Sequence, residues 1–321
     1  MVGGEEMSTT AKSRKNPKNK VKLYHSLPDR ILTASVWVLL IIIMIVILVP
    51  LMFILASSFS DPSAVSSGKV FLWPVDFSLV GYKAIFQSPS ILRGFINSVE
   101  YTLVGTIISV TLTLFAGYPL SRVDLKIRGP IMFLFTVTMF FSGGMIPTYL
   151  VVSKLHLIDT FWAMVIPSAM GVWNVILTKT YIQSSIPLEI YESASIDGCS
   201  DWKYFTSMVF PLSKPIIAVM VLLYAVGKWN DFFSGLIYLN DSAKQPLQMT
   251  LRNILVMSDS FGINMNLAEQ MNRQELKTLL QYSLIVVSSV PVLLLYPLIQ
   301  KHFVKGIMMG SIKGWTNRQK R

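Results

Sequence analysis

Glu192-Ser193-Ala194-Ser195-Ile196-Asp197-Gly198, and nine residues on Met208-Val209-Phe210-Pro211, form a polar, turn-punctuated insertion between two long apolar runs. Just before it, Ser184-Ser185-Ile186-Pro187 predicts a helix start, with hydroxyl caps ahead of a proline in the first turn. Leu188 to Ile196 holds no helix breaker, and Gly198 after Asp197 predicts a left-handed stop. Ser200-Asp201 then predicts the cap of a second short helix over 202–209, which Pro211 ends. The expected product is a helix–turn–helix lying on a membrane surface. Ser193, Ala194 and Ser195 are small enough to admit another backbone, and Glu192 and Asp197 offer acceptors. A short, stiff, exposed element of this kind can seat in a groove on another protein and pass motion along. The plainer alternative is an ordinary amphipathic connector between two membrane helices.

The flanking runs settle the compartment. The chain is 52% hydrophobic and 14% charged, with a mean hydropathy of +0.54, where a soluble domain carries about 25% charged residues. A membrane-crossing helix takes about 20 mainly apolar residues. Six runs qualify, at about 31–56, 95–120, 130–152, 161–181, 216–237 and 282–303. None keeps an alternation of period two, so the spans read as helices and not as barrel strands. The first run is too long for a cleaved leader and reads as a retained anchor.

The net charge of +11 does not point to nucleic acid. Its basic residues gather before the first span (Lys12, Arg14, Lys15, Lys18, Lys20, Lys22, Arg30), at Arg122, Lys126 and Arg128, and after the last span (Lys301, Lys305, Lys313, Arg318, Lys320, Arg321). With six crossings these segments share one side, which is cytoplasmic by the positive-inside rule, and the quoted stretch falls there too. Membrane lipids with acidic headgroups account for the charge. Both termini are expected in the cytoplasm. Cys199 is the only cysteine, so no internal disulfide is possible.

The quoted stretch resembles the EAA loop of ABC-importer permeases: Glu-Ala-Ala, three residues, Gly, nine residues, then Ile-x-Leu-Pro. Glu192, Ala194, Gly198 and Pro211 fall on the family positions, while Ser193, Met208 and Phe210 depart from them. Further stretches resemble the sugar-importer branch, in the class of the smaller maltose-importer permease. They include Asn97-Ser98, Ala116-Gly-Tyr-Pro-Leu-Ser-Arg122, Trp229-Asn230-Asp231-Phe232, Pro246-Leu-Gln248 and Lys305-Gly-Ile-Met-Met-Gly310. Phe141-Ser-Gly-Gly-Met-Ile-Pro147 and the long 239–281 segment look most like the subfamily importing complex or acidic oligosaccharides, such as pectin- or alginate-derived fragments.

The resemblance implies an all-α, polytopic membrane protein with six transmembrane helices, the type I ABC-importer permease fold and a cytoplasmic coupling helix. Residues 1–25, polar, basic and low in apolar content, are expected to be a disordered tail; one transmembrane domain (26–313) and a short basic tail (314–321) follow. The domain includes the coupling loop 184–212 and an outer loop 239–281. Glu192, Ser193, Ala194, Asp197, Gly198 and Pro211 are the implied ATPase-coupling residues. The implied partners are a second, non-identical permease, two ATPase subunits, an extracellular solute-binding protein and an oligosaccharide, in a bacterial cell membrane. Asp259, Ser260, Phe261, Gly262, Ile263 and Asn264 are the implied contact with the binding protein; the plainer role is a lid over the helix ends.

Polar residues inside spans usually face the bundle interior. Asn97, Asn174, Lys228, Trp229, Asn230 and Asp231 are therefore the candidates for a sugar path, by stacking and by amide or charged hydrogen bonds; bonding between helices is the competing role. Lys228 suits an anionic sugar but can equally pair with Asp231. Trp162 and Trp173 read as interface or packing residues. His25, His156 and His302 are isolated, with no metal-ligand spacing and no nucleophile partner. No catalytic residue is assigned, and without a GxxxxGK[ST] loop the ATP and Mg belong on partner subunits. A permease for a peptide or amino acid shares the loop but should lack the Trp229-Asn230 and C-terminal matches. A secondary transporter should show coupling-ion carboxylates or helices broken at mid-membrane, and the sequence signals neither.

Overall fold

A computed structural model describes residues 27–256 and 267–307, all helix and connection. The segment through Pro50 and the segment from Leu51 form two units. The first is most of α1 (Leu27–Ser58), whose apolar side chains from Ile31 to Leu48 lie open all round, as a helix solvated by lipid requires.

In the second unit, Asp61 caps α2 (Pro62–Ser66) by accepting from the Ser63 N–H at 3.0 Å. Next come α3 (Val80–Gln87) and α4 (Pro89–Ser121), whose start is set by a proline in its first turn. The 57–94 segment, with Pro62, Pro74 and Pro89 among its serines, is thus partly helical. After a short link run α5 (Arg128–Phe140), α6 (Met145–Lys154), α7 (Phe161–Val165) and α8 (Val172–Ser185). The motif region holds α9 (Leu188–Ile196), α10 (Asp201–Tyr204), a π-turn over Phe205–Val209 and α11 (Phe210–Leu212). Beyond it lie α12 (Lys214–Trp229), α13 (Phe232–Tyr238), a 3-10 turn at Ser242–Lys244, α14 (Leu247–Val256) and α15 (Leu267–Ile307).

Among the described residues, α1, α4 and the Leu276–Pro297 part of α15 are long and apolar enough to cross a membrane unbroken. The third, fourth and fifth apolar runs, expected as single spans, are interrupted. The third bends by 113° between α5 and α6, where Gly144 sits at φ +86, a conformation that side-chain-bearing residues rarely adopt. The fourth opens between α7 and α8, around Pro167 and Gly171. The fifth stops at Asn230 and restarts when Asp231 caps α13 by accepting from the Ser234 N–H at 3.0 Å. Broken helices are therefore present after all. In each case mean hydropathy hides a local backbone breaker.

α4 is the central post of this unit, packed against α12, α8 and α14. Lipid supplies no hydrophobic drive between helices, so small residues that allow close approach do the packing. At Gly117 an added Cβ would lie 2.8 Å from Thr178 Cγ2, and at Gly105 it would lie 3.1 Å from Lys228 Cε.

Candidate functional site

α9 follows the sequence expectation from Leu188 to Ile196, and Gly198 ends it at φ +68. The cap before it differs. Ser184 and Ser185 belong to the last turn of α8, and Pro187 starts α9 without a side-chain hydrogen bond. Ser200 does cap α10, accepting from the Lys203 N–H at 3.3 Å. Pro211 does not end the second helix. Its missing N–H is absorbed by the widened π-turn, where the Phe210 N–H reaches back to Phe205 O, and helix continues to Leu212. The chain then turns by 76° into α12.

The two faces of α9 differ in what they touch. Ala194 is buried among Ile182, Ile186, Tyr204 and Val209, so it seats the helix on its own protein and does not admit a second backbone. Glu192, Ser193, Ser195 and Asp197 are exposed, and Ile196 is 87% exposed. The Ser193 and Ser195 hydroxyls are turned back onto the Glu189 and Tyr191 carbonyls at 2.8 and 2.9 Å, which leaves a smooth, small-residue surface. The open side of α9 thus presents a bare isoleucine beside two acidic residues.

What holds this face in place is Arg122, which follows the last turn of α4. Its guanidinium donates from Nη1 to Asp201 Oδ1 (3.0 Å) and the Tyr118 hydroxyl (3.1 Å), and from Nε and Nη2 to both Asp124 oxygens. Its carbon centre lies 3.6 Å from the Tyr191 ring centroid, on α9. One side chain thus ties α4, α9 and α10 together. Asp124 is held below the usual carboxylate range by Arg122. Tyr118 packs on Phe205 at 5.0 Å and Tyr191 meets Tyr204 edge-on at 5.2 Å, so aromatic rings fill the joint. From sequence Arg122 counts as a positive-inside charge and closes the family-like stretch 116–122. The signal for its second role is Tyr118 one turn earlier, with Asp201 directly after a capping serine.

The candidates for a sugar path are mostly occupied within the chain. Lys228 Nζ donates to Met164 O and Val165 O, both at 3.1 Å, and to Ser168 Oγ at 2.6 Å, so it caps the end of α7 and does not pair with Asp231. Trp229 is buried, donates to Ser288 O at 2.9 Å, and meets Phe95 edge-on. Asn97 donates to Ala243 O (2.8 Å) and Gln245 O (3.0 Å). With Tyr101 on Lys244 O and the Leu247 N–H on Ser98 Oγ, it pins residues 243–247 to the start of α4. Asp231 is the α13 cap described above. Asn230 is exposed at the break, with Nδ2 on Val226 O at 2.9 Å, and Asn174 is half-buried in α8. Residues 259–264, and the tails 1–25 and 314–321, lie outside the described residues.

At the same end of α4 as Asn97, Asp159 accepts from the Asn240 and Asp241 N–H groups and pairs with Lys244 Nζ at 3.0 Å. Asn97 and Arg122 are 25 residues apart on one helix line, about 38 Å at 1.5 Å per residue. The unit therefore has two fastened ends on one post.

The described residues thus form an all-helical unit with interrupted apolar runs and a short surface helix, α9, held rigidly between α4 and α10. The chain belongs to the family described as binding-protein-dependent transport system inner membrane component, which matches residues 23–309. It is 42% identical over 286 residues to the polygalacturonan/rhamnogalacturonan transport system permease protein YtcP of Bacillus subtilis, covering 89% of this chain and 99% of that one. It is also 42% identical over 267 residues to the protein LplC of the same organism, covering 83% of this chain and 90% of LplC. A chain from the crystal structure of a bacterial ABC transporter involved in import of the acidic polysaccharide alginate superposes with a TM-score of 0.79. That chain is 31% identical, over 87% of this chain and 99% of its own length.

Proposed function

We propose that this chain is a non-catalytic permease subunit of an ATP-driven oligosaccharide importer. It forms the path with a second, non-identical permease. An extracellular binding protein delivers the cargo, and ATP and Mg are bound by two partner ATPase subunits. In this reading Glu192–Gly198 seat on an ATPase subunit on the cytoplasmic side, and residues 259–264 meet the binding protein. The observation that carries it is the two-faced α9, with Ala194 and Tyr191 locked to the protein and Glu192 and Ile196 left open.

The cargo is proposed to be an acidic, uronic-acid-containing fragment. The names of the alginate and polygalacturonan transporters support this, since both polymers carry a carboxylate on each residue. Lys228 is hydrogen-bonded inside the chain, so recognition of those carboxylates is assigned mainly to the binding protein and the second permease. Asn230 and Asn174 are left as the contributions of this chain, next to interrupted helices whose free backbone groups can meet sugar hydroxyls.

The test is a crosslink from Ile196→Cys in the assembled complex. It should trap an ATPase subunit, and a purified, transport-active complex that gives no such product would refute the docking role. Proteoliposome uptake of oligogalacturonate, with a neutral oligosaccharide as comparison, tests the cargo. Preference for the neutral sugar would overturn the acidic assignment.

A further inference from the structure

Behind α9 lies a half-open cavity of about 390 Å³, enclosed by the ends of α4 and α8, the start of α5 and the inner face of α9. Its two cations are unlike each other. Arg122 is matched by Asp124 and Asp201. Arg128 donates from Nη1 to Arg122 O at 3.2 Å and, among the described residues, meets no carboxylate within ion-pair distance. Ser121 and Gln183 stand on the same wall, and the rest is mainly apolar, with the rings of Tyr118, Tyr191 and Tyr204 beside Ile182, Ile186 and Leu188.

The rim is apolar too: Val123 is 63% exposed and Leu188 52% exposed. A groove meant for water or a free anion has no need of an aliphatic rim at the end of a membrane span. A guanidinium with no carboxylate in ion-pair contact, above a mainly apolar slot at the end of the long apolar helix α4, matches a molecule with an anionic head and an apolar tail.

We propose that this cavity binds an anionic phospholipid, with its phosphate on Arg128 and its acyl chain along Val123, Ile182 and Leu188. The lipid would then lie directly against the inner face of the docking helix. Bilayer composition would tune how firmly α9 is mounted, independently of cargo and of ATP.

The experiment uses the full importer complex, purified in mild detergent, with native mass spectrometry to read retained lipid. Phosphatidylglycerol should be retained in preference to phosphatidylcholine. One guanidinium near a membrane surface is worth about a five-fold change in lipid affinity, so Arg128→Gln should lower retention by about that factor. Lys126→Gln, an exposed charge in the same loop but outside the cavity, should leave retention unchanged, and Arg128→Lys should restore most of it. ATP hydrolysis in phosphatidylcholine nanodiscs checks that each variant is assembled. Equal loss in Lys126→Gln would show diffuse attraction and overturn the proposal. Displacement of the lipid by millimolar inorganic phosphate would show that the apolar rim plays no part, and would also overturn it. So would a crosslink from Val123→Cys to an ATPase subunit, which would place protein and not lipid over the rim.

Discussion

Replacing Arg122 by alanine should loosen α9 without unfolding the membrane unit. Its bidentate pair with Asp124 is local and fastens nothing distant. The contacts that matter are those to Asp201, Tyr118 and Tyr191. Asp201 is 74% exposed on its side chain, so that ion pair is worth about 0.2–1 kcal/mol. The hydrogen bond to the Tyr118 hydroxyl adds about 1 kcal/mol. Stacking on Tyr191 at 3.6 Å adds about 0.5–1 kcal/mol, more where water is excluded. Together these give roughly 2–3 kcal/mol, because Asp201 is left in water and no buried charge is orphaned. At about 1.4 kcal/mol per factor of ten, amides of α9 and α10 should then exchange about 30- to 150-fold faster while those of α4 and α12 are unchanged. Asp201→Asn alone should produce only the ion-pair part, a factor of about 1.4–5. Arg122→Lys keeps the charge but loses the planar fork, and should fall between the two. Hydrogen exchange on the reconstituted complex reads all three. Protection of α9 unchanged in Arg122→Ala would refute the anchoring argument, since the aromatic joint would then suffice alone.

Further outcomes follow from the same geometry. Gly198→Val meets no atom within 4 Å of its new Cβ, so its cost is backbone strain at φ +68, about 1–2 kcal/mol or more for a β-branched residue; sugar moved per ATP should fall while membrane insertion is retained. Asn97→Ala removes two part-buried hydrogen bonds, together about 1–3 kcal/mol, so residues 243–247 should become protease-sensitive while ATPase docking persists. Asp159 is held below the usual carboxylate range, first by the Asp241 N–H and then by Lys244. A depressed carboxylate stabilises above its ordinary pKa of about 3.9 and loses that contribution as pH falls through the lowered value. The Asp159–Lys244 tie should thus hold from pH 7 to 5 and open only below about pH 4, with Asp159→Asn removing the acid dependence. A spin-label distance between the 155–160 loop and residues 239–245 measures it.

The membrane class, the limits of α9 and the stop at Gly198 were legible because each rests on local chemistry: apolar run length, an unbroken helix former stretch, and a glycine in a left-handed turn. The breaks within the third, fourth and fifth runs were not. A hydropathy window averages over Gly143-Gly144, Pro167 and Asn230-Asp231, and cannot tell a tolerated polar pair from one that stops a helix. Pro211 misled for the opposite reason: proline alone predicts a stop, yet a π-turn upstream can absorb its missing donor. Lys228 and Asn97 illustrate the remaining limit. A polar residue in a span announces a need for partners, but the partners were backbone carbonyls some 60 and 146 residues away in sequence, which periodicity cannot supply.

The arrangement of rigid and soft parts constrains how motion could cross this protein. α4 carries a fastening at each end, Arg122 below and Asn97 above, and has no break between Pro89 and Ser121. It is therefore poorly suited to bend, and both ends of the unit are referred to the same rod. The other connection from α9 runs through α10, the π-turn and the 76° bend at Ser213 into α12. That route contains the non-ideal backbone, and single-turn π segments within helices are frequent at functional sites. α12 in turn ends at Asn230, beside the proposed path. A displacement imposed on the open face of α9 would thus be resisted along α4 and accommodated along α12. On the proposed function, the Phe205–Ser213 segment is where force on α9 would convert into rotation or tilt of α12. On this argument coupling depends less on the motif's acidic side chains than on the contrast in stiffness between its two exits.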